Sequence, residues 1–387
     1  MNFVKFALVA LAAAVAVPAG AQEPVRVGLV APFSGGAADY GKQMLAGIRT
    51  FFRMHGDTFA GRRIEVIVRD TTGPNPEIAK RLAQELVTRD KVDFLAGFGF
   101  TPEALAAAPV ATAAKVPMVV MNAASSVVTT RSPYIVRFSM TLPQVSAPMA
   151  TWAAKHGIRK VYTLVADYAP GIDSEKAFKA TFTAAGGEIV DSVRTPLRNP
   201  EFAPYVQRIK DAKPEAVFIF VPSGEQGIAF MKAFEERGLA RAGIQVIATG
   251  DLTDDDVLQS MGDPVLGIVT SHHYSAAHDS PVNRAFVKAF GEVAPELPRP
   301  DFMAVGGFDG MAAIAQAVTK LGGRIDGDRA LEILRHTKLE SPRGPIHIDP
   351  ATRDIVQTVY IRRVEKVGGQ YYNVEFDRFP DVKDPGK

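Results

Sequence analysis

Short apolar runs alternate with longer amphipathic stretches along almost the whole chain, and this alternation constrains the fold more than any other feature. Val25-Arg26-Val27-Gly28-Leu29-Val30 has the pattern of a buried strand. Residues 41–55 follow it with Met44, Leu45, Ile48, Phe51 and Phe52 at helical spacing. Strands are expected at 64–68, 94–97 and 117–121, with helices at 76–88 and 102–114 between them. A second cycle begins after 134–139. It places helices at 143–156, 172–184, 202–211 and 227–237, and strands at 161–165, 188–193, 216–221 and 245–248. Such β-α alternation predicts an α/β fold with mostly parallel sheets covered by helices. Past residue 270 the pattern turns to helices at 282–290, 302–321 and 328–336, then to strands near Ile346 and at 356–363. The polar tail from Asp377 holds two prolines and is expected to fray.

The N-terminus is set apart from this pattern. Lys5 precedes an apolar run at 6–17, Pro18 breaks it, and Ala19-Gly20-Ala21 supplies the small residues of a cleavage site. This is the layout of a secretory signal peptide cleaved after Ala21, and the run is shorter than the about 20 apolar residues that span a bilayer. Removing 21 of the 387 residues leaves 366, more than one core usually supports, so two domains are expected. No later stretch reads as long and apolar enough to cross a membrane. There is no cysteine, which excludes disulfides, thiolate metal sites and a cysteine nucleophile. Lys and Arg number 44 against 42 Asp and Glu, with no basic stripe, which argues against nucleic acid as a partner.

Candidate chemistry lies at the ends of the expected strands, where open parallel sheets place ligands. In Leu95-Ala96-Gly97-Phe98-Gly99-Phe100-Thr101-Pro102-Glu103 a strand gives way to a helix start. Thr101 suits the cap, Pro102 the first position and Glu103 the first turn. Free N–H groups there, with the Thr101 hydroxyl, form an anion site, although capping alone accounts for the same residues. The next strand end, Asn122-Ala123-Ala124-Ser125, is again small and polar. Thr101, Ala123 and Ser125 could therefore hold one carboxylate together, unless Ser125 merely forms a turn. Asp251, in Thr249-Gly250-Asp251, sits at a strand end of the second half and could accept a hydrogen bond from an ammonium or a hydroxyl. His272, His273 and His278 lack regular ligand spacing, so no metal is expected and a hinge or surface role is preferred. No P-loop, nucleophile elbow or zinc-protease motif occurs, and no cofactor is implied.

The chain resembles the leucine/isoleucine/valine-binding proteins, the substrate-binding components of ABC importers with the type I periplasmic-binding fold. The resemblance rests on Val27-Gly28-Leu29-Val30-Ala31-Pro32-Phe33-Ser34-Gly35 followed by Tyr40-Gly41, on Leu95-Ala96-Gly97 and Asn122-Ala123-Ala124-Ser125, and on Val221-Pro222-Ser223-Gly224 and Thr249-Gly250-Asp251. It implies two doubly wound lobes joined by three hinge crossings, near Thr141, Ser271 and Pro345. One lobe would hold 22–141 and 272–345, the other 142–271 and 346–387, with the ligand between them. It also implies a non-catalytic, periplasmic, monomeric shuttle that delivers a small carboxylate to an inner-membrane permease. Carried over by position, Thr101, Ala123 and Ser125 hold the carboxylate, and Ser34 belongs to the opening loop. Asp251 falls where amino-acid binders place an acid for the ammonium. One departure stands out. Where amino-acid binders usually carry an aromatic residue this chain has Pro170, and Tyr168 lies two residues away. Phe98 and Phe100 flank the anion site, while Phe33, Tyr40, Phe220 and Tyr274 occupy other possible cleft loops. Flat aromatic walls suit an aromatic carboxylate of the benzoate or phenylpropenoate type. A branched-chain amino acid is the alternative ligand, and a ligand-binding sensor component the alternative role.

Overall fold

The computed structural model describes residues 23–387; the expected signal peptide lies outside the described residues. The first sheet is built from β1 (Val25–Ala31), β2 (Thr58–Phe59), β3 (Arg62–Asp70), β4 (Phe94–Gly97), β5 (Met118–Val120) and β6 (Ile135–Arg137), in the order β2-β3-β1-β4-β5-β6. Apart from the β2–β3 hairpin its pairings are parallel. Helices α1 (Ala38–His55), α2 (Pro76–Thr88) and α3 (Thr101–Ala114) supply the crossovers. Helices on both faces explain why β1 and β4 are apolar runs rather than alternating strands: every β1 residue but Arg26 is buried.

The second sheet collects nine strands. Its parallel part comprises β7 (Lys160–Ala166), β8 (Glu188–Thr195), β9 (Ala216–Phe220), β10 (Gln245–Thr249) and β11 (Val269–His272). Helices α4 (Leu142–Lys155), α5 (Ala169–Ala184), α6 (Ala203–Ala212), α7 (Glu225–Glu236) and the single turn α8 (Leu258–Met261) surround it. The chain then returns to the first lobe through α9 (Pro281–Val293) and α10 (Phe302–Lys320), which pack on α1, and α11 (Gly327–Leu334), which packs on α10. It closes with antiparallel β12 (Lys338–Ser341), β13 (Gly344–Ile348), β14 (Ile355–Val367) and β15 (Gln370–Val382), giving the order β12-β13-β14-β11-β10-β9-β7-β8 with β15 on β14.

Two expectations are corrected. The tail does not fray at Asp377: residues 377–382 continue β15 against β14. This is an edge strand with many exposed residues, so it lacks the hydrophobicity by which the inner strands are read. Helix α10 is in fact long and apolar enough to cross a membrane, but 83% of that window is buried inside the protein. It is a core helix rich in small residues. A Cβ on Gly47 of α1 would lie 1.9 Å from the Ala304 carbonyl oxygen, and one on Gly307 would lie 2.2 Å from that of Met44. The two helices therefore touch backbone to backbone.

Buried polar contacts hold the first and the last of the places where the chain passes between sheets. Thr141 caps α4 by accepting the Gln144 N–H at 3.2 Å. The Arg343 guanidinium, between β12 and β13, pairs with Asp309 of α10 at 2.7 Å and donates to the carbonyls of Phe138 and Ser139 at 2.5 and 3.0 Å. Removing one partner of such a pair leaves a buried charge and costs about 3–5 kcal/mol.

Candidate functional site

Each sheet reverses its strand order once in its parallel part, at β1/β4 in the first lobe and at β7/β9 in the second. A doubly wound sheet opens a crevice at that point, outside the carboxyl ends of the strands. Both crevices are floored by aromatic pairs. Tyr40, in the helix after β1, stacks on Phe100, in the loop after β4, with centroids 5.0 Å apart and planes at 11°. Tyr168, after β7, stacks on Phe220, at the end of β9, at 6.0 Å and 19°. Gly171 brings Tyr168 into place, since a Cβ there would lie 1.9 Å from the Ala166 carbonyl oxygen at the tip of β7.

The two pairs line one small cavity between the lobes. Gly99, Thr101, Asn122 and Ala124 form its polar wall in the first lobe. Met140 and Leu142 line it near the first crossing, and Pro170 and Asp251 in the second lobe. Phe100 also lines the larger open cleft that leads outward between the lobes.

The polar wall is assembled by hydrogen bonds among neighbouring strand tips. Glu103 accepts the Phe100 N–H at 3.0 Å. Thr101 opens α3, so its own N–H has no acceptor within the helix. The Thr101 hydroxyl oxygen accepts the Ser125 N–H at 3.2 Å, which leaves its hydrogen free to donate into the cavity. Asn122 donates to the Gly99 carbonyl at 2.7 Å, while its Oδ1 is buried without a partner among the described residues. Behind the loop, Arg137 Nη1 donates to the carbonyls of Ala123 and Ser125, each at 2.8 Å, and the guanidinium pairs with Asp354 at 2.6 Å. Arg137 was not anticipated from the sequence. The signal available was a charged residue ending an apolar strand, which must find a partner when buried.

At the other end stands Asp251, 5% exposed, with Oδ2 lacking a hydrogen-bond partner among the described residues. His272 Nε2 approaches that oxygen to 3.7 Å. Burial lowers the His272 imidazole to a pKa of about 4, against the raising influence of Asp251, so the ring is neutral. Burial also raises the phenols of Tyr40 and Tyr168 well above their usual range, and nearby Asp251 adds to both shifts. Both phenols are thus protonated and sit close to the unpartnered acid.

The expected site residues divide into two groups. Thr101, Phe100, Tyr168, Phe220 and Asp251 meet in the cavity. Five others are placed elsewhere. Phe98 adopts a left-handed backbone (φ 66°) that turns its ring into the core with α2 and α3, so Phe100 alone faces the cavity. The Ala123 N–H is taken by the Phe98 carbonyl at 3.0 Å. The Ser125 hydroxyl donates to Asp173 Oδ2 at 2.5 Å rather than into the cavity. Ser34 donates to Asp70 at 2.6 Å on the surface. Tyr274 is fully buried and donates to Asn283 Oδ1 at 3.1 Å. The histidines are not superficial: His272 and His273 are buried and stacked at 4.4 Å, and His278 pairs with Glu375 at 2.8 Å. Among the described residues no group of three His, Cys, Asp or Glu is arranged to hold a metal.

Comparison with known proteins agrees with this architecture. A family model described as "Periplasmic binding protein" matches residues 24–370. Leu/Ile/Val-binding protein homolog 6 of Brucella melitensis is 44% identical over 384 residues, which cover 99% of this chain and 98% of the relative. A solute binding protein of an ABC transporter from Rhodopseudomonas palustris BisB5, solved in complex with 3,4-dihydroxybenzoic acid, is 56% identical with a TM-score of 0.91; 94% of this chain and 99% of that one are covered. Another R. palustris solute binding protein, in complex with 4-hydroxybenzoate, is 42% identical with a TM-score of 0.92 over the same shares of the two chains.

Proposed function

We propose that this chain, which belongs to the periplasmic binding protein family, is the solute-binding component of an ABC importer and captures a ring-hydroxylated benzoate. The observation that carries the ligand class is a cavity walled by one stacked aromatic pair from each lobe, with an unpartnered acid, Asp251, at its far end. The flat ring lies between the aromatic walls. Its carboxylate meets the Thr101 N–H and hydroxyl at the positive end of α3. Its ring hydroxyl donates to Asp251.

Capture proceeds by closure. The carboxylate docks on the first lobe, taken as 22–141 with 272–345. The second lobe, 142–271 with 346–387, then brings Asp251, Tyr168 and Phe220 against the ring. Expelling water strengthens the hydrogen bonds inside, and the ligand-stabilised closed form gives a permease something to recognise. In this reading the protein binds without catalysing, acts as a monomer, and reaches the periplasm after cleavage behind Ala21.

A branched-chain amino acid is the second reading, favoured by the name of the Brucella relative and by Met140 and Leu142 in the wall. Asp251 would then accept the ammonium. A thermal-shift screen separates the two, because a ligand specific to the folded state raises its stability by mass action. 4-Hydroxybenzoate and 3,4-dihydroxybenzoate are expected to raise the melting temperature, and leucine, isoleucine and valine to leave it unchanged. The reverse outcome transfers the assignment to amino acids.

A further inference from the structure

The strand tip beside the cavity already holds a carboxylate, and it belongs to the protein. Asp173 lies in α5 of the second lobe. Its Oδ2 accepts the Ser125 hydroxyl at 2.5 Å and the Ser126 N–H at 3.1 Å, both from the loop after β5 in the first lobe. A hydroxyl and a main-chain N–H sharing one carboxylate oxygen form a charge-assisted pair, stronger than neutral hydrogen bonds. The same loop receives a second acid: the Ser126 hydroxyl donates at 3.0 Å to Asp384, which follows β15. The contact lies next to the ligand site but outside it, since neither Ser125 nor Asp173 lines the cavity. One link separates them, the Ser125 N–H on the Thr101 hydroxyl oxygen at 3.2 Å.

We propose that Asp173 is a clasp residue that keeps the lobes shut over bound ligand without touching it. This rests on the reading that the ligand sits between lobes that must part to release it. Separating the lobes pulls Asp173 off Ser125 and Ser126, so the clasp opposes the exit of ligand. Entry begins from the open form, where the clasp is not made. Asp173 therefore sets the dissociation rate and leaves association and ligand preference alone, which makes it a positioning residue for binding. Ser125 acts through the same contact.

The test is stopped-flow binding of 4-hydroxybenzoate and 3,4-dihydroxybenzoate to the full mature chain and to Asp173→Ala, Asp173→Asn, Ser125→Ala and Asp173→Ala/Ser125→Ala. Alanine at 125 keeps the main-chain N–H that Thr101 accepts. Asp173→Ala is expected to raise the dissociation rate about tenfold for both ligands, with the association rate, their affinity ratio and the melting point of the free protein unchanged. Asp173→Asn keeps an acceptor and recovers part of the loss. The double variant is expected to be no worse than the poorer single one, because both changes break one contact. Additive losses would show that Ser125 serves the ligand independently. Tighter binding in Asp173→Ala would show that the acid repels the ligand carboxylate. An unchanged dissociation rate would show that the contact is idle. Each of these overturns the clasp. If the wild type binds leucine and no benzoate, the ligand assignment fails, and the same rates measured with leucine decide the clasp.

Discussion

Asp251→Asn tests the ligand assignment most directly. The wild-type carboxyl is 5% exposed and has one oxygen with no partner among the described residues, so a ring hydroxyl arriving there meets a free acceptor. A hydrogen bond to a charged acceptor contributes about 1.5–3 kcal/mol and one to a neutral acceptor about 0.5–1.5 kcal/mol, so the substitution weakens 4-hydroxybenzoate binding about tenfold. Benzoate responds differently. When the wild type closes over it, the acid stays buried and unpaired, a penalty of about 1–3 kcal/mol or more that a neutral amide reduces. Both effects lower the preference for 4-hydroxybenzoate over benzoate, by about ten- to a hundredfold. Calorimetric titration of both ligands into both proteins at one pH measures that ratio, and the melting curve of the unliganded variant checks its folding. Equal losses for the two ligands, or an unaltered ratio, would refute the placement of a ring hydroxyl on Asp251.

Other consequences follow from the same geometry. Thr101→Ala removes a donor to the ligand carboxylate and is expected to weaken benzoate and hydroxybenzoates alike by at least tenfold in calorimetry, with their ratio preserved. Tyr168→Ala opens one aromatic wall and breaks the stack on Phe220, and a fall of about tenfold in affinity for the same ligands is expected. Gly47→Ala forces a methyl group against the Ala304 carbonyl, and a loss of about 3 kcal/mol or more in urea unfolding is expected, with ligand preference intact. Glu103 is buried, and burial raises its pKa from 4.5 to about 7, against hydrogen bonds that lower it. Because the folded value lies above the unfolded one, its contribution to stability is complete below pH 4.5 and lost as pH rises through about 7. Glu103→Gln is expected to match the wild type at pH 4.5 and to exceed it at pH 8 by on the order of 2–3 kcal/mol. Parallel stability–pH curves for the two proteins would contradict this.

Much of the framework is legible along the chain because burial on both faces of a parallel sheet writes itself as short apolar runs. β1, β4 and β9 each stand out in this way, and α2 spans the expected helix at 76–88, with Asn75 Oδ1 accepting the Ile78 N–H at its start. Thr101, Phe100 and Asp251 are legible for a related reason: a ligand at the carboxyl ends of strands draws on whatever polar or aromatic residue follows the apolar run. Edge strands escape this reading. β15 exposes much of its length, and its pairing with β14 shifts register twice, so no simple alternation marks it.

Within the site, the sequence by itself determined which loops would gather: strand ends follow from hydrophobic periodicity, a local property. Tertiary structure decided which atoms in those loops remain available. Phe98 and Phe100 look equivalent in the sequence, yet a left-handed turn sends one ring to the core and the other to the cavity. The hydroxyls of Thr101 and Ser125 look equally fit to hold a carboxylate, yet Asp173, 48 residues further along the chain, takes the second. Arg137 and Asp354, 217 residues apart, meet behind the loop whose carbonyls Arg137 holds. A donor serves a ligand only if no protein acceptor reaches it first, and that competition is settled by groups that folding brings from distant parts of the chain.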